Sequence, residues 1–407
     1  MRSRHALVIG GSIGGLCAAI LLRQAGWRTT IFERSREGLA SRGAGLGITR
    51  ELMDAMHRCG APLDTSSAVQ LSAIVTVDRV GRVIHELPRH SRASVWSRIY
   101  LPLRRLMPDI DYCSGMMLND IEQDSNSITA IFADGSRVRG DLLVGADGNA
   151  STVRTLLQPN VAPRYAGYVA WRGVMPERDL PSAFHDEFFD KLTFAFPEGE
   201  QFAAMPVPSK GEDLRPGHRG YYFIWYRPAN PAMVDDLCTD ERGVSHGTSI
   251  PPPLIRRRFT REIEDRAEAM LAPRLASVVR QASQLLLQPI TDLETPKLVM
   301  GRAVLMGDAA FVARPHVAAG ATKAALDATC LASELAADDD IDAALTRYEI
   351  RQHRFGSDLV AAARRLGAPL EAQGKPMARR GGEGGVDPIQ LMRQFGAPHL
   401  VHDPDPE

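Results

Sequence analysis

The chain has 407 residues, 44% of them hydrophobic, with 48 basic against 49 acidic side chains. That is enough apolar content for a large core and too long for most single compact units, so two closely joined lobes are expected. The balanced charge excludes the basic face of a nucleic-acid binder and points to a small-molecule substrate.

Five scattered cysteines (Cys17, Cys59, Cys113, Cys238 and Cys330) are odd in number and never in C-x-x-C spacing. They argue against a disulfide framework and a zinc site, and fit a reducing cytoplasm. At the N-terminus, MRSRH followed by uncharged residues 6–22 imitates a signal peptide. Glycines at 10, 11, 14 and 15 would interrupt such an apolar helix, so no membrane segment is expected.

HALVIG reads as a buried parallel strand, GGLCAAILLRQAG as a helix ending at Gly26, and TTIFER as the next strand, together one βαβ unit. Between about 36 and 140 the pattern is mixed, with ITAIFADGSRV a hairpin turning on Asp134 and Gly135. GDLLVGADG is another apolar strand ending in glycine. From about 160 to 295 the chain is aromatic and strand-rich with prolines, as in GYVAWRGVMP and RGYYFIWYRP, and is expected to form an antiparallel sheet in a separate lobe. AVLMGDAA returns to the first lobe, and residues 318–337 read as a long helix. The resulting division is 1–160 (with a second-lobe segment around 60–100), 161–295, 296–370, and a tail 371–407 expected to be mobile or draped on the surface.

Three motifs carry chemistry. In GGSIGG, Gly10 permits a tight turn and Gly15 a close helix approach, as in the G-x-G-x-x-G dinucleotide fingerprint, while Gly11 and Gly14 keep the loop pliable. The middle fingerprint glycine is replaced by Ser12, whose hydroxyl can donate to phosphate. Glu33, followed by Arg34, closes the second strand 18 residues after Gly15, where an acid accepts hydrogen bonds from ribose hydroxyls. Alone, this motif is weak evidence, with a merely structural glycine turn as its other reading. DLLVGADGNASTVR, residues 141–154, offers Asp147, which by itself reads as a turn cap. In GRAVLMGDAAFVARPHVAAGATKAALDA, residues 301–328, a strand delivers Gly307 and Asp308 before Pro315, His316 and a helix starting near Gly320.

Together and in this order, the three motifs resemble the fingerprint, DG and GD motifs of the single-component FAD-dependent aromatic hydroxylases, the para-hydroxybenzoate hydroxylase family, over most of residues 5–360. GGSI, YAGYVAWRGV and RPHVAAG are similar to a subgroup acting on hydroxylated pyridines. The resemblance implies an α/β fold: a Rossmann-like FAD-binding domain, an interleaved antiparallel substrate domain and a C-terminal helical segment. It implies FAD as cofactor and NAD(P)H as a transient cosubstrate without a second nucleotide domain. The reaction would be O2-dependent hydroxylation of an electron-rich hydroxylated aromatic or N-heteroaromatic ring through a flavin hydroperoxide, in a cytoplasmic protein that can form a homodimer.

By that resemblance Gly10, Ser12, Gly14, Gly15, Glu33 and Arg34 would hold the ADP half of FAD. Arg98 in SRIYLPL would lie near the pyrophosphate, although a solvated helix charge is its other reading. Asp147 would touch FAD and the incoming nucleotide, Gly307 and Asp308 the ribityl chain, and Pro315 and Gly320 the flavin. A helix starting at Gly320 would direct unpaired N–H groups toward a reduced ring. The family's G-Q-G becomes Ala318, Ala319 and Gly320, and its asparagine becomes Thr322, which removes expected side-chain contacts to the flavin edge. His316 is the candidate to assist the substrate hydroxyl, against a purely structural histidine. Tyr168, Trp171, Arg172 and Phe311 are candidates for the substrate pocket, against core packing. Three other readings stay open: a natural-product tailoring oxygenase, an NAD-dependent dehydrogenase, and a nucleotide-binding module without turnover.

Overall fold

The apolar run His5–Ile9 is a strand with all five side chains buried, flanked in parallel by Arg28–Glu33 and Leu142–Gly145. The computed structural model, which describes residues 4–39, 45–63, 68–209, 213–371 and 388–395, extends this core into a six-stranded sheet. Tyr112–Ser114 lies at one edge, and Ala303–Leu305 with Val299–Met300 at the other. Parallel strands require crossovers that cover both faces. The first crossover is the helix Ile13–Gln24, apolar on nearly every side because the sheet lies beneath it and the helix Gly320–Ala337 above. Gly14 allows that approach, since a Cβ there would stand 3.1 Å from Ala324 Cβ.

A nine-stranded sheet forms the second lobe. Its order is Phe311–Val312, Leu286–Glu294, Arg164–Pro176, Gly220–Pro228, Gln201–Val207, Lys191–Ala195, Val69–Val77, Val83–Val95, Gly45–Gly47. The pairing is antiparallel except where Lys191–Ala195 runs parallel to Val69–Val77. Side chains alternate across it. Val169 and Trp171 face a core built with the helices Arg257–Met270 and Pro273–Arg280, whereas Tyr168, Ala170 and Arg172 face the first lobe. The expected hairpin is present in a separate three-stranded sheet, with Gly135 at φ +84°.

Within the helical run expected over 318–337, the helix starts at Gly320, where the third motif places it, because Pro315–Val317 form a 3-10 turn that ends with Ala318 at φ +50°. Ala318 is the one non-glycine at positive φ among the described residues. The long helix Ile341–Gly367 follows and fastens the first sheet through Tyr348 Oη, which donates to the Leu305 carbonyl at 2.9 Å.

The segment 371–407, expected to be mobile or draped on the surface, holds one described helix. Pro388–Gln394 is a helix with Leu391 and Met392 buried against the second lobe. Residues 372–387 and 396–407 lie outside the described residues. No described helix is long and apolar enough to cross a membrane.

Candidate active site

The strand-turn-helix at Gly10 is held by contacts that forbid side chains. Gly10 sits at φ +105°, and a Cβ there would lie 2.4 Å from the Ala146 carbonyl oxygen. A Cβ on Gly15 would lie 1.9 Å from the Gly10 oxygen. Gly11 has a different reason from loop pliability: Tyr112 Oη occupies the place of its Cβ and donates to the Gly11 carbonyl at 3.1 Å.

Ser12 precedes the helix Ile13–Gln24 without capping it, so its hydroxyl and the first N–H groups of the helix stay available at the cavity wall. Glu33 is buried at the end of its strand, accepting from Gly11 N through Oε2 and Ser35 N through Oε1, both at 2.9 Å. Arg34 is exposed. Arg98 lies half-buried on the helix Trp96–Leu106 and outside the cavity wall, which Trp96 reaches instead.

Asp147 behaves as a cap. Its carboxylate accepts from Ser151 Oγ at 2.5 Å, Thr152 N at 2.7 Å and Val153 N at 3.1 Å, starting the helix Thr152–Leu157. Desolvation still pushes its carboxyl above the usual range. Its neighbours Ala146, Gly148 and Asn149 line the cavity.

The Gly307-Asp308 turn is clamped from below by a buried ion pair. Asp327 Oδ2 accepts from Gly307 N at 2.7 Å and from Lys323 Nζ at 2.6 Å, and Lys323 also donates to the Gly307 carbonyl at 3.2 Å. Asp308 is exposed, lines the cavity and takes no hydrogen bond from a described residue. Desolvation by the protein packed around it raises its carboxyl, opposed by Lys323 and reinforced by Asp327.

These turns share one cavity of about 830 Å³ between the two lobes, toward the upper end of the ~300–1,000 Å³ usual for small-molecule sites. Ser12, Gly14, Gly307, Asp308, Pro315, Ala318 and Gly320 line the first-lobe side. The unpartnered helix N–H groups, the glycine cradle and the unpaired Asp308 carboxylate fit a dinucleotide with anionic phosphates and polyol hydroxyls. Thr322 is buried behind this wall, its hydroxyl 3.1 Å from that of Thr49.

On the sheet side the strands present a polar floor: Arg172, Gln201, Tyr222, Tyr226 and Gln288. Arg172 Nε and both amide atoms of Gln201 are buried without partners among the described residues. Burial raises the Tyr222 and Tyr226 hydroxyl pKa values, with the Arg172 charge opposing. Of Tyr168, Trp171, Arg172, Phe311 and His316, anticipated at the substrate, only Arg172 lines the cavity, and Pro315 and Gly320, anticipated at the flavin, both do.

Trp171 faces the opposite side of its sheet, as its neighbour Arg172 requires. Phe311 is fully buried against Gly356, where a Cβ would meet its ring at 2.3 Å. Tyr168 is buried under Gly367 and lies with Oη 2.8 Å from His316 Nε2.

His316 is therefore not in contact with the cavity, which corrects its assignment beside the substrate. Its ring sits 4.3 Å from that of Tyr226, behind the wall, with Nδ1 unpartnered among the described residues. Burial, with Arg314 nearby, pushes its pKa down to about 3 and keeps it neutral. Arg314 is fixed by Asp292 at 2.8 Å and Glu371 at 2.8 Å, anchoring the loop.

Comparison with known proteins agrees with this architecture. The family described as FAD binding domain-like matches residues 165–292, within the antiparallel lobe. The 2,6-dihydroxypyridine 3-monooxygenase of Paenarthrobacter nicotinovorans is 32% identical over 371 residues, 90% of this chain and 91% of that protein. The solved structure of 2,6-dihydroxypyridine-3-hydroxylase from Arthrobacter nicotinovorans superposes with a TM-score of 0.85 at 30% identity, covering 94% of this chain and 95% of that one. A FAD-dependent urate hydroxylase of Klebsiella pneumoniae is 29% identical over 386 residues, 88% of each chain. A tailoring oxygenase, a nicotinamide-only dehydrogenase and a binding module without turnover are not favoured.

Proposed function

The chain belongs to the FAD-dependent aromatic hydroxylases and is a FAD-dependent monooxygenase, and from that premise we propose that its substrate is a small, hydroxylated N-heteroaromatic ring bound as its anion. The observation that supports this reading is the sheet-side floor, where the Arg172 guanidinium has no carboxylate among the described residues. A half-buried cation with an enclosed, unpartnered Nε and no counter-ion among the described residues is stabilised when a ligand supplies the charge. A ring oxygen carrying negative charge would do so, with the Tyr222 and Tyr226 hydroxyls as further donors and the Gln201 amide able to match a ring N–H and carbonyl pair. Holding the ring as its anion also enriches the carbons ortho and para to that oxygen, the positions an electrophilic oxygen attacks.

In this reading the turn from Gly10 to Gly15 and the following helix N-terminus hold the diphosphate, with Gly14 allowing close helix packing. Glu33, beside Arg34, takes the adenosine ribose, while Arg98, outside the cavity wall, is given no contact with the diphosphate. The backbone after Asp147 meets the nucleotide, and Gly307 and Asp308 take the ribityl hydroxyls. Pro315 and the N–H groups at Gly320 face the flavin ring. When bound, FAD supplies electron transfer from NAD(P)H and the activation of O2. The chain's own part is to position the ring and exclude water from it. His316 acts as a positioning residue, backing Tyr226 through ring contact and tying it to Tyr168. The protein is assigned to a reducing cytoplasm, where its five thiols stay free, and a homodimer is the assembly for sedimentation to test.

Arg172→Met is the test. Loss of a charge-assisted hydrogen bond of about 1.5–3 kcal/mol should raise KM for a dihydroxypyridine at least tenfold while FAD content stays unchanged. An unchanged KM would remove the anionic-ring reading.

A further inference from the structure

The mechanism above makes no use of the C-terminal helix Pro388–Gln394, yet this short element reaches the cavity. Leu391 and Met392 are buried in one apolar cluster with Leu71, Ile74, Phe194 and Ala203, and Leu71, Ile74 and Ala203 are themselves cavity wall. Thr76 Oγ1 lies 3.2 Å from Met392 Sδ. The helix ends with Phe395 N donating to the Leu391 carbonyl at 2.7 Å. Arg89 Nη1, from the cavity-lining stretch of Val83–Val95, donates to the Phe395 carbonyl at 2.9 Å. The Phe395 ring meets Phe194 edge-on, centroids 5.3 Å apart at 75°, and lines the cavity.

Phe194 lies three strands from Arg172 in the sheet order, about 14 Å at ~4.8 Å per strand. Phe194, Ala203, Ile224 and Arg172 pair directly across neighbouring strands and so share one face of the sheet, and Arg172 and Phe395 line the same cavity. Packing anchors, a ring contact and a capped carbonyl converge on one side chain, more than a surface-draped end would need.

We infer that Phe395, delivered by the C-terminal helix, is a specificity-determining residue that sets how large a ring system the site accepts, admitting single rings and disfavouring fused ones. This rests on the proposed ring-hydroxylase reading.

The test uses the FAD-loaded protein and a matched pair of probes, 2,4-dihydroxypyridine and 2,4-dihydroxyquinoline, which differ only by a fused ring. Binding is read from the perturbation of the bound-FAD absorption spectrum, so turnover is not required. In Phe395→Ala the quinoline-to-pyridine ratio of Kd should fall about tenfold or more, the range in which a pocket senses small size differences. In Phe395→Trp the ratio should rise. A chain ending at Asp387 should reproduce the alanine result, while Phe395→Leu, which keeps an apolar side chain, should fall between wild type and alanine.

A ratio unchanged within about twofold in both the alanine and the tryptophan variants, with FAD content intact, overturns the inference. So does a wild-type protein whose spectrum neither probe perturbs. If the rings bind with the expected ratios but no ring is hydroxylated, the functional reading falls and the role of Phe395 in ring size stands.

Discussion

Lys323→Met removes the cation that clamps the Gly307-Asp308 turn. Lys323 and Asp327 are 2% and 1% exposed and 2.6 Å apart, so deleting the ammonium leaves a buried carboxylate without its counter-ion. Such deletions cost about 3–5 kcal/mol. At about 2.1 cal/mol/K of unfolding entropy per residue over 407 residues, that corresponds to a fall in Tm of about 3.5–6 °C. Adding Asp327→Asn to the same chain removes the orphaned charge while keeping an acceptor for Gly307 N–H, and should recover at least half of the loss. Thermal unfolding followed by protein fluorescence, together with release of FAD followed by flavin fluorescence, gives both quantities in one experiment. The FAD signal should be lost at or below the unfolding transition in Lys323→Met. A single variant that melts within about 1 °C of wild type and keeps its FAD on dilution would refute the clamp.

Gly10→Ala should give colourless protein, because the new Cβ would stand 2.4 Å from the Ala146 oxygen at φ +105°; stoichiometric FAD in the purified variant would place the nucleotide elsewhere. Asp308→Ala should weaken FAD affinity about tenfold or more through loss of ~1.5–3 kcal/mol of charge-assisted hydrogen bonds, and unchanged retention on dilution would reject a ribityl contact. His316 titrates near 3 when folded against 6.5 when free, so as pH falls the unfolded chain takes up the proton first. Wild-type stability should therefore drop between pH 6.5 and about 3, by up to about 1.4 kcal/mol per unit from this group. Urea midpoints at pH 7 and about 4.5 should show a smaller loss for His316→Gln; equal losses would mean that the imidazole is not buried neutral.

Local features were legible in the sequence, and features built from distant segments were not. The turn at Gly10 was readable because the glycine spacing alone forces the strand and helix together, and Asp147 was open to its capping reading for the same local reason. The need for glycine at position 11 was hidden, since it depends on Tyr112, brought in by the edge strand about a hundred residues later. Trp171 and Arg172 could not both face the pocket, because adjacent strand residues point oppositely; which of them did so depended on the helices Arg257–Met270 and Pro273–Arg280 covering the other face. The i, i+4 spacing of Lys323 and Asp327 was visible on a helix, but its partner, the backbone of Gly307, was not. The Pro388–Gln394 helix escaped notice because Ile389, Leu391, Met392 and Phe395 are too few to signal a packed element, and the burial of Leu391 and Met392 comes from a sheet that the tertiary fold places beneath them.

Monooxygenase chemistry on a hydroxylated ring is tested most directly by incubating the FAD-loaded protein with NAD(P)H, isotopically labelled oxygen gas and a panel of hydroxylated pyridines, then analysing products by mass spectrometry. The expected product carries a single labelled oxygen atom on the ring, formed in proportion to the NAD(P)H consumed. NAD(P)H consumption that yields only hydrogen peroxide across the panel, or a hydroxylated product whose new oxygen comes from water, would contradict it.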